Sequence, residues 1–82
     1  MFTNKTSVGQ NNLCGSAVEQ KRKEMKKSQR ELADMLQIAG LDIDKNAVQR
    51  IEARKRFVTD IELVYLSRVL NLSYEELLGI SE

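Results

Sequence analysis

Histidine, proline and tryptophan are absent from this 82-residue chain, and there is a single cysteine. Without histidine, and with only Cys14 to supply a thiolate, the chain cannot assemble a His/Cys metal site, a Ser–His or Cys–His nucleophilic pair, or an internal disulfide. We expect Cys14 to be a small buried hydrophobic residue, with a redox or intermolecular role as the alternative. The composition therefore predicts that the protein is not an enzyme and needs no cofactor and no metal.

Long apolar runs are also missing. No segment approaches the ~20 apolar residues that a membrane span requires, and residues 1–12 lack the apolar core of a secretory signal. We therefore expect a cytoplasmic protein that does not bind a membrane. A hydrophobic fraction of 41% is enough for one small core, and the dominance of Leu, Ile, Val, Met and Ala over aromatic residues favours helices.

Charge is segregated along the chain, although the net charge is only +1. Residues 19–30 and 45–56 each carry a net charge of +4, whereas residues 31–44 and 57–82 each carry −4. Such a distribution predicts one surface that attracts anions and another that is acidic.

The beginning of the chain differs from the rest. Residues 1–12 are rich in Thr, Asn, Ser, Gly and Gln, show no hydrophobic period, and predict a flexible N-terminal tail. Residues 13–82 predict the folded domain. Its first helix is expected at about residues 15–26, with Val18, Arg22 and Met25 along one stripe.

Capping motifs mark the starts of the other helices. Ser28, Thr59 and Ser73 are each followed three residues later by a glutamate, the spacing at which two residues cap a helix N-terminus reciprocally. Asp44 is the expected N-cap of the third helix, and Gly40 is the expected left-handed end of the second. No stretch alternates as a strand would. The sequence therefore predicts an all-α fold of five short helices around one core.

The third helix combines an apolar stripe with a polar outer face. Val48 and Ile51, three residues apart, are expected to point into the core. The polar residues have the donors and acceptors that bind base edges, because Asn and Gln can bond to adenine and Arg or Lys to guanine. An ordinary solvated basic surface is the alternative interpretation. The predicted base-contacting residues are Lys45, Asn46, Gln49 and Arg50.

Four segments together carry a resemblance to a known family: SQRELADML, NAVQRIEARKR, TDIELVYLSRVLNL and SYEELL. They resemble the helix-turn-helix domain of phage repressors and Cro proteins, the XRE-type regulators, and the resemblance covers about residues 14–79. It implies a lambda-repressor-like domain in which Ala33 lies at the helix crossing and Gln29 clamps a phosphate and braces the recognition helix. It also implies an ion pair between Arg22 and Glu52 that ties the first helix to the third. The predicted phosphate-contacting residues are Gln29, Arg30, Arg54, Lys55 and Arg56.

Three features depart from the family pattern. The segment QIAGLDI, residues 37–43, makes the turn about five residues longer than in a compact helix-turn-helix. We therefore expect an elongated turn with Leu41 and Ile43 in the core. Arg54 occupies the position of a family glycine, so we expect the third helix to lack a left-handed end and to extend. Lys27 stands where an aliphatic residue is common.

The leading functional hypothesis is a sequence-specific regulator of transcription that binds double-stranded DNA, a homodimeric repressor that places the helix at about residues 45–54 in the major groove. One recognition helix contacts only a few base pairs, so a second copy is expected about one helical turn away. The acidic, leucine-rich segment 64–80 is the candidate subunit contact, and Phe57 and Tyr74 are expected in the core or at that contact. The alternative is an antitoxin-type interaction module whose main role is to bind a partner protein.

Overall fold

The computed structural model describes residues 10–79, which form five helices around one core. Within these residues there is no strand, so the predicted all-α fold is confirmed. No helix of the described part is long and apolar enough to cross a membrane. The first helix ends at Glu24 rather than at residue 26. The helices are α1 (Gly15–Glu24), α2 (Gln29–Ala39), α3 (Lys45–Glu52), α4 (Asp60–Leu70) and α5 (Tyr74–Leu78).

Three helices begin at the predicted capping boxes. Ser28 Oγ accepts from the Glu31 amide at 3.0 Å, and Glu31 Oε1 accepts from the Ser28 amide at 2.8 Å. These bonds satisfy amides that have no partner inside the helix, and the Ser28 amide lowers the pKa of Glu31. The same reciprocal bonds join Thr59 with Glu62 and Ser73 with Glu76.

All five helices contribute to the core. Cys14, just before α1, is also buried, and this burial raises the pKa of its thiol to about 11. The thiol is therefore protonated at neutral pH, which agrees with the prediction of a small buried hydrophobic residue. Leu63 and Leu78 are only partly buried. The buried hydrophobic side chains within the helices are Val18, Leu32, Ala33, Leu36, Val48, Ile51, Leu66, Leu70 and Leu77.

The elongated turn between α2 and α3 is held by its own contacts. It comprises residues 40–44 and begins with Gly40 in the left-handed conformation, at φ 115°. Ile43 is buried, and Leu41 packs partly buried against the core. The Nε2 atom of Gln37 donates to the Ile43 carbonyl at 2.8 Å. The extra residues therefore pack onto the domain, as the two aliphatic side chains predicted.

The end of α3 corrects one expectation. The helix does not extend, because Arg54 itself adopts the left-handed conformation, at φ 62°. The Arg54 amide donates to the Ile51 carbonyl at 2.9 Å. The Lys55 amide donates to the Arg50 carbonyl, also at 2.9 Å. These two bonds close a Schellman-type helix end, and they offset the roughly 1 kcal/mol that left-handed backbone costs a residue with a Cβ atom.

Two asparagines of the predicted tail, residues 1–12, form contacts with the helices. The prediction for residues 1–9 lies outside the described residues, but Asn11 and Asn12 form hydrogen bonds to the backbone that follows α3. Asn12 is buried, at 8% exposure. Its Oδ1 atom accepts from the Gly15 amide at 2.9 Å, a bond that satisfies a free donor at the start of α1. These bonds connect residues 11 and 12 to the start of α1 and to the segment that follows α3.

We expect Gly15→Ala to destabilise the protein. A methyl group at this position would collide with the Ile51 carbonyl oxygen and would lie 2.7 Å from Arg54 Cγ. The collision outweighs the ~1 kcal/mol by which alanine is favoured over glycine in a helix, so the expected net loss is roughly 1–3 kcal/mol. Urea unfolding followed by circular dichroism measures the difference.

The matched control for this substitution is Gln20→Ala, on the exposed side of the same helix. It should leave the free energy of unfolding within about 0.5 kcal/mol of wild type. Equal effects of the two substitutions would show that α1 and the end of α3 are not in close contact at Gly15.

Candidate nucleic-acid interface

Helix α3 turns an apolar face to the core and a polar face to solvent. Val48 and Ile51 are 1% and 0% exposed, as their spacing predicts. Asp44 caps the helix, and its Oδ1 atom accepts from the Ala47 amide at 2.8 Å. Because one face of the helix is buried and its start is capped, the polar side chains on the other face project outward. All four predicted base-contacting residues are exposed: Lys45, Asn46, Gln49 and Arg50.

These four exposed side chains are available to a ligand. Within residues 10–79, none of them forms a side-chain hydrogen bond or ion pair. The face combines two amides, which both donate and accept, with two cations, which only donate. A helix with its side chains is about 10–12 Å across, which matches the ~12 Å width of the major groove. The geometry and the chemistry of this face therefore suit base edges.

A buried carboxylate joins α3 to α1 and α2. Glu52 is 4% exposed, and its Oε2 atom accepts from Arg22 Nε at 2.7 Å. Its Oε1 atom accepts from Arg22 Nη2 and from Gln29 Nε2, both at 3.0 Å. Arg22 also donates to the Lys27 carbonyl at 2.8 Å. The hydrogen bond to Glu52 raises the pKa of Arg22 above its ordinary value. Glu52 thus links the third helix to the first two.

A cleft lies between α2 and the start of α3. Ala33 of α2 is 2% exposed and lines this cleft together with residues at the start of α3. The cleft has a volume of about 400 Å³. Both signs of charge line it, with Arg30 and Lys45 beside Asp34 and Asp44. On this side, therefore, carboxylates border the cationic face of α3.

Two of the predicted phosphate-contacting residues have side chains without a partner among residues 10–79. Arg30 lies in the first turn of α2, and Lys55 follows the end of α3. Both are exposed, and neither has a side-chain hydrogen bond or ion pair among the residues that the structure describes. Arg30 lines the cleft beside the start of α3, and Lys55 follows the end of that helix.

The other three predicted phosphate-contacting residues already have partners inside the protein. Gln29 donates to Glu52, as described above. Arg54 Nη1 donates to Ser16 Oγ at 2.9 Å, which brings its guanidinium back against α1. Arg56 Nη1 donates to a carboxylate oxygen of Glu62 at 2.9 Å. The resemblance implied a bracing role for Gln29, whereas no sequence pattern indicated the internal partners of Arg54 and Arg56.

Asn11 and Asn12 are a feature of this interface that the sequence analysis missed. Their amides bond to the carbonyls that follow α3, some 44 positions later in the chain. A pair of asparagines in a polar segment has no periodicity, and it resembles the rest of the tail in composition. No local pattern could have identified these contacts.

A family model described as helix-turn-helix matches residues 18–77 of the chain. The match covers most of α1, all of α2, α3 and α4, and most of α5. The chain belongs to the helix-turn-helix family of XRE type. The family supports a general role as a DNA-binding transcriptional regulator. Comparison with curated proteins and with solved structures gave no match.

Loss of Arg22 should strongly destabilise the domain. Arg22→Met keeps much of the aliphatic volume but leaves the Glu52 carboxylate buried with a single side-chain donor, at an expected cost of about 3–5 kcal/mol. Adding Glu52→Leu removes the buried charge and should restore most of that loss. Urea unfolding of both variants and of wild type measures the effect.

The control for this network is the exposed ion pair between Lys23 and Glu19, whose atoms are 3.4 Å apart. Lys23→Ala should change the free energy of unfolding by less than about 0.5 kcal/mol. A cost for Arg22→Met no larger than this would mean that the buried network does not hold the three helices together.

Proposed function

We propose that the protein is a homodimeric transcriptional repressor that inserts α3 into the major groove of its operator. One observation carries the proposal. The polar side chains on the outer face of α3 have no hydrogen-bond or ion-pair partner among residues 10–79, and the opposite face of the helix is buried. The two amides would bind adenine and the two cations guanine, and each good bidentate pair contributes about 1–3 kcal/mol of discrimination. The proposed base-contacting residues are Lys45, Asn46, Gln49 and Arg50.

Phosphate contacts would position this helix in the groove. Arg30 and Lys55 are the proposed direct contacts, since both are exposed and unoccupied. Gln29 can join them, because its amide nitrogen carries two hydrogens and Glu52 accepts only one. Arg54 and Arg56 would act mainly through their positive potential, since their guanidinium groups have partners inside the protein.

We propose repression because it requires only that the protein occupy the promoter. A dimer bound over a promoter excludes other proteins from the same groove and phosphates, whereas activation requires an additional attractive contact with the transcription machinery. Because occupancy needs only the DNA-binding face of α3, repression is the simpler proposal.

The surface of α4 and α5 supports a protein–protein contact. Ile61 is 65% exposed and Tyr74 is 49% exposed, each beside a carboxylate, Asp60 or Glu75. Phe57, between α3 and α4, is 52% exposed. We assign this surface to a second copy of the chain, because one recognition helix contacts too few base pairs for useful affinity.

Charge reversal on α3 should weaken DNA binding, whereas the same reversal on α4 should not. The measurement is titration of a labelled random-sequence duplex of about 30 base pairs, long enough for two half-sites, at several salt concentrations. Arg50→Glu should lower affinity about tenfold and make the slope of log K against log salt less steep, because it replaces a cation near the duplex with an anion. The matched control is Arg68→Glu, an exposed α4 residue with no side-chain partner in the described region.

Two outcomes would count against this role for α3. One is wild-type protein that does not bind duplex at low salt, or that binds without salt dependence. The other is an equal loss of affinity in the α3 and α4 variants, which would reflect total charge and not the location of the charge.

Selection from a random duplex pool tests the dimer. We expect a two-fold symmetric motif with half-site centres roughly 10 base pairs apart, bound by two copies in sedimentation. Ile61→Ser should weaken pairing of the copies, whereas Ile38→Ser, at an 88% exposed position on α2, should not.

An asymmetric motif bound by one copy would contradict the dimer. Unaltered DNA binding in Ile61→Ser, with loss of binding to another protein, would favour the antitoxin-type alternative.

A further inference from the structure

We propose that Asn11 and Asn12, together the asparagine clamp, are positioning residues for DNA binding. They fix the backbone that follows α3 so that the side chain of Lys55 projects towards a phosphate from a rigid base. The inference rests on the proposed function, because it specifies how one of the proposed phosphate contacts is oriented.

The clamp engages three successive carbonyl groups. The backbone amide of Asn11 donates to the Arg54 carbonyl at 3.0 Å. The side-chain Nδ2 atom of Asn11 donates to the Lys55 carbonyl at 2.8 Å. Asn12 Nδ2 donates to the Arg56 carbonyl, also at 2.8 Å. Carbonyls at and beyond a helix C-terminus have no partner within the helix. Here their donors come from residues more than 40 positions earlier in the chain.

Asn12 also connects the clamp to the body of the domain. Its Nδ2 atom reaches the Ile51 carbonyl at 3.2 Å, and its Oδ1 atom accepts from the Gly15 amide at 2.9 Å. Gly15 itself packs against Ile51 so closely that a Cβ atom would not fit between them. One buried side chain therefore joins the first residue of α1 to the last turn of α3.

Lys55 is held on both sides of its Cα atom, while its side chain stays exposed. Its amide donates to the Arg50 carbonyl at 2.9 Å, and its carbonyl accepts from Asn11 at 2.8 Å. The ammonium group has no partner among the residues that the structure describes. A fixed backbone reduces the conformational entropy that is lost when the side chain binds a phosphate. The clamp should therefore increase the affinity contributed by Lys55.

Asn11 offers a way to loosen this segment with little effect on folding. Its Oδ1 atom is buried and has no hydrogen-bond partner within the described residues. Asn11→Ala removes one side-chain hydrogen bond but also removes this unsatisfied acceptor, and the two effects on stability oppose each other. We expect the melting temperature to fall by no more than about 4 °C.

The test is a double-mutant cycle between Asn11 and Lys55. The probe is a labelled random-sequence duplex of about 30 base pairs, titrated over a series of salt concentrations. Lys55→Ala should lower affinity roughly fivefold and reduce the salt slope by about 0.9. Asn11→Ala, which removes no charge, should lower affinity about threefold and shift the slope in the same direction. The double variant should bind no more weakly than Lys55→Ala alone.

The control is Gln20→Ala, which removes an exposed side-chain amide beside α5 and should leave affinity and slope unchanged. A purely structural role for the clamp would lower the melting temperature without changing the salt slope of the folded protein, and would overturn the proposal. Additive effects of Asn11→Ala and Lys55→Ala would also overturn it.

Failure of this inference can be distinguished from failure of the proposed function. If wild type does not bind the duplex, the proposed function fails. If wild type and the control bind with the expected salt dependence while Asn11→Ala binds like wild type, only the clamp is refuted. Should alanine unfold the chain, Asn11→Ser repeats the cycle with a small polar side chain.

Discussion

The orientation of α3 depends on the buried carboxylate of Glu52. A buried carboxylate is strongly destabilising unless donors replace its water, and Glu52 has such donors only when Arg22 and Gln29 reach it. The requirement constrains geometry more than it adds stability, because the carboxylate is satisfied only when α1 and α2 bring Arg22 and Gln29 to it. The buried Ile51 and Glu52 fix the rotation of α3 about its axis. Since side chains are spaced at fixed angles around a helix, this rotation also sets the direction of the exposed Gln49 and Arg50 side chains.

Both ends of α3 are fixed as well. An eight-residue helix is too short to be stable by itself in water, so its conformation depends on contacts with the rest of the domain. Asp44 and the buried Ile43 hold its start, and the left-handed Arg54 with the asparagine clamp holds its end. A helix held at both ends and along one face presents its outer side chains at low entropic cost, which is what discrimination between bases requires.

The features predicted well from sequence are those that short-range rules determine. The capping boxes involve residues three positions apart, and the core positions of α2 and α3 follow from helical periodicity. The features that were missed are an unexpected backbone conformation at the end of α3 and several long-range contacts. Arg54 adopts a conformation that favours glycine, and its side chain bonds to Ser16, 38 positions away. Asn11 and Asn12 bond to carbonyls, which every residue carries, so no residue pattern marks their partners. The base-contact assignments remain proposals.

The internal use of cations bears directly on the proposed dimer. The segments 19–30 and 45–56 are both strongly basic, but Arg22 pairs with Glu52 and Arg56 with Glu62, so part of this charge is neutralised within the fold. Fewer cations then remain for phosphates than the sequence alone indicates. Because sequence-independent affinity increases with the number of phosphates neutralised, one copy would bind weakly at physiological salt. Two copies on one duplex would double that number, so in the proposed dimer the internal pairing of Arg22 and Arg56 would make binding more dependent on the second copy.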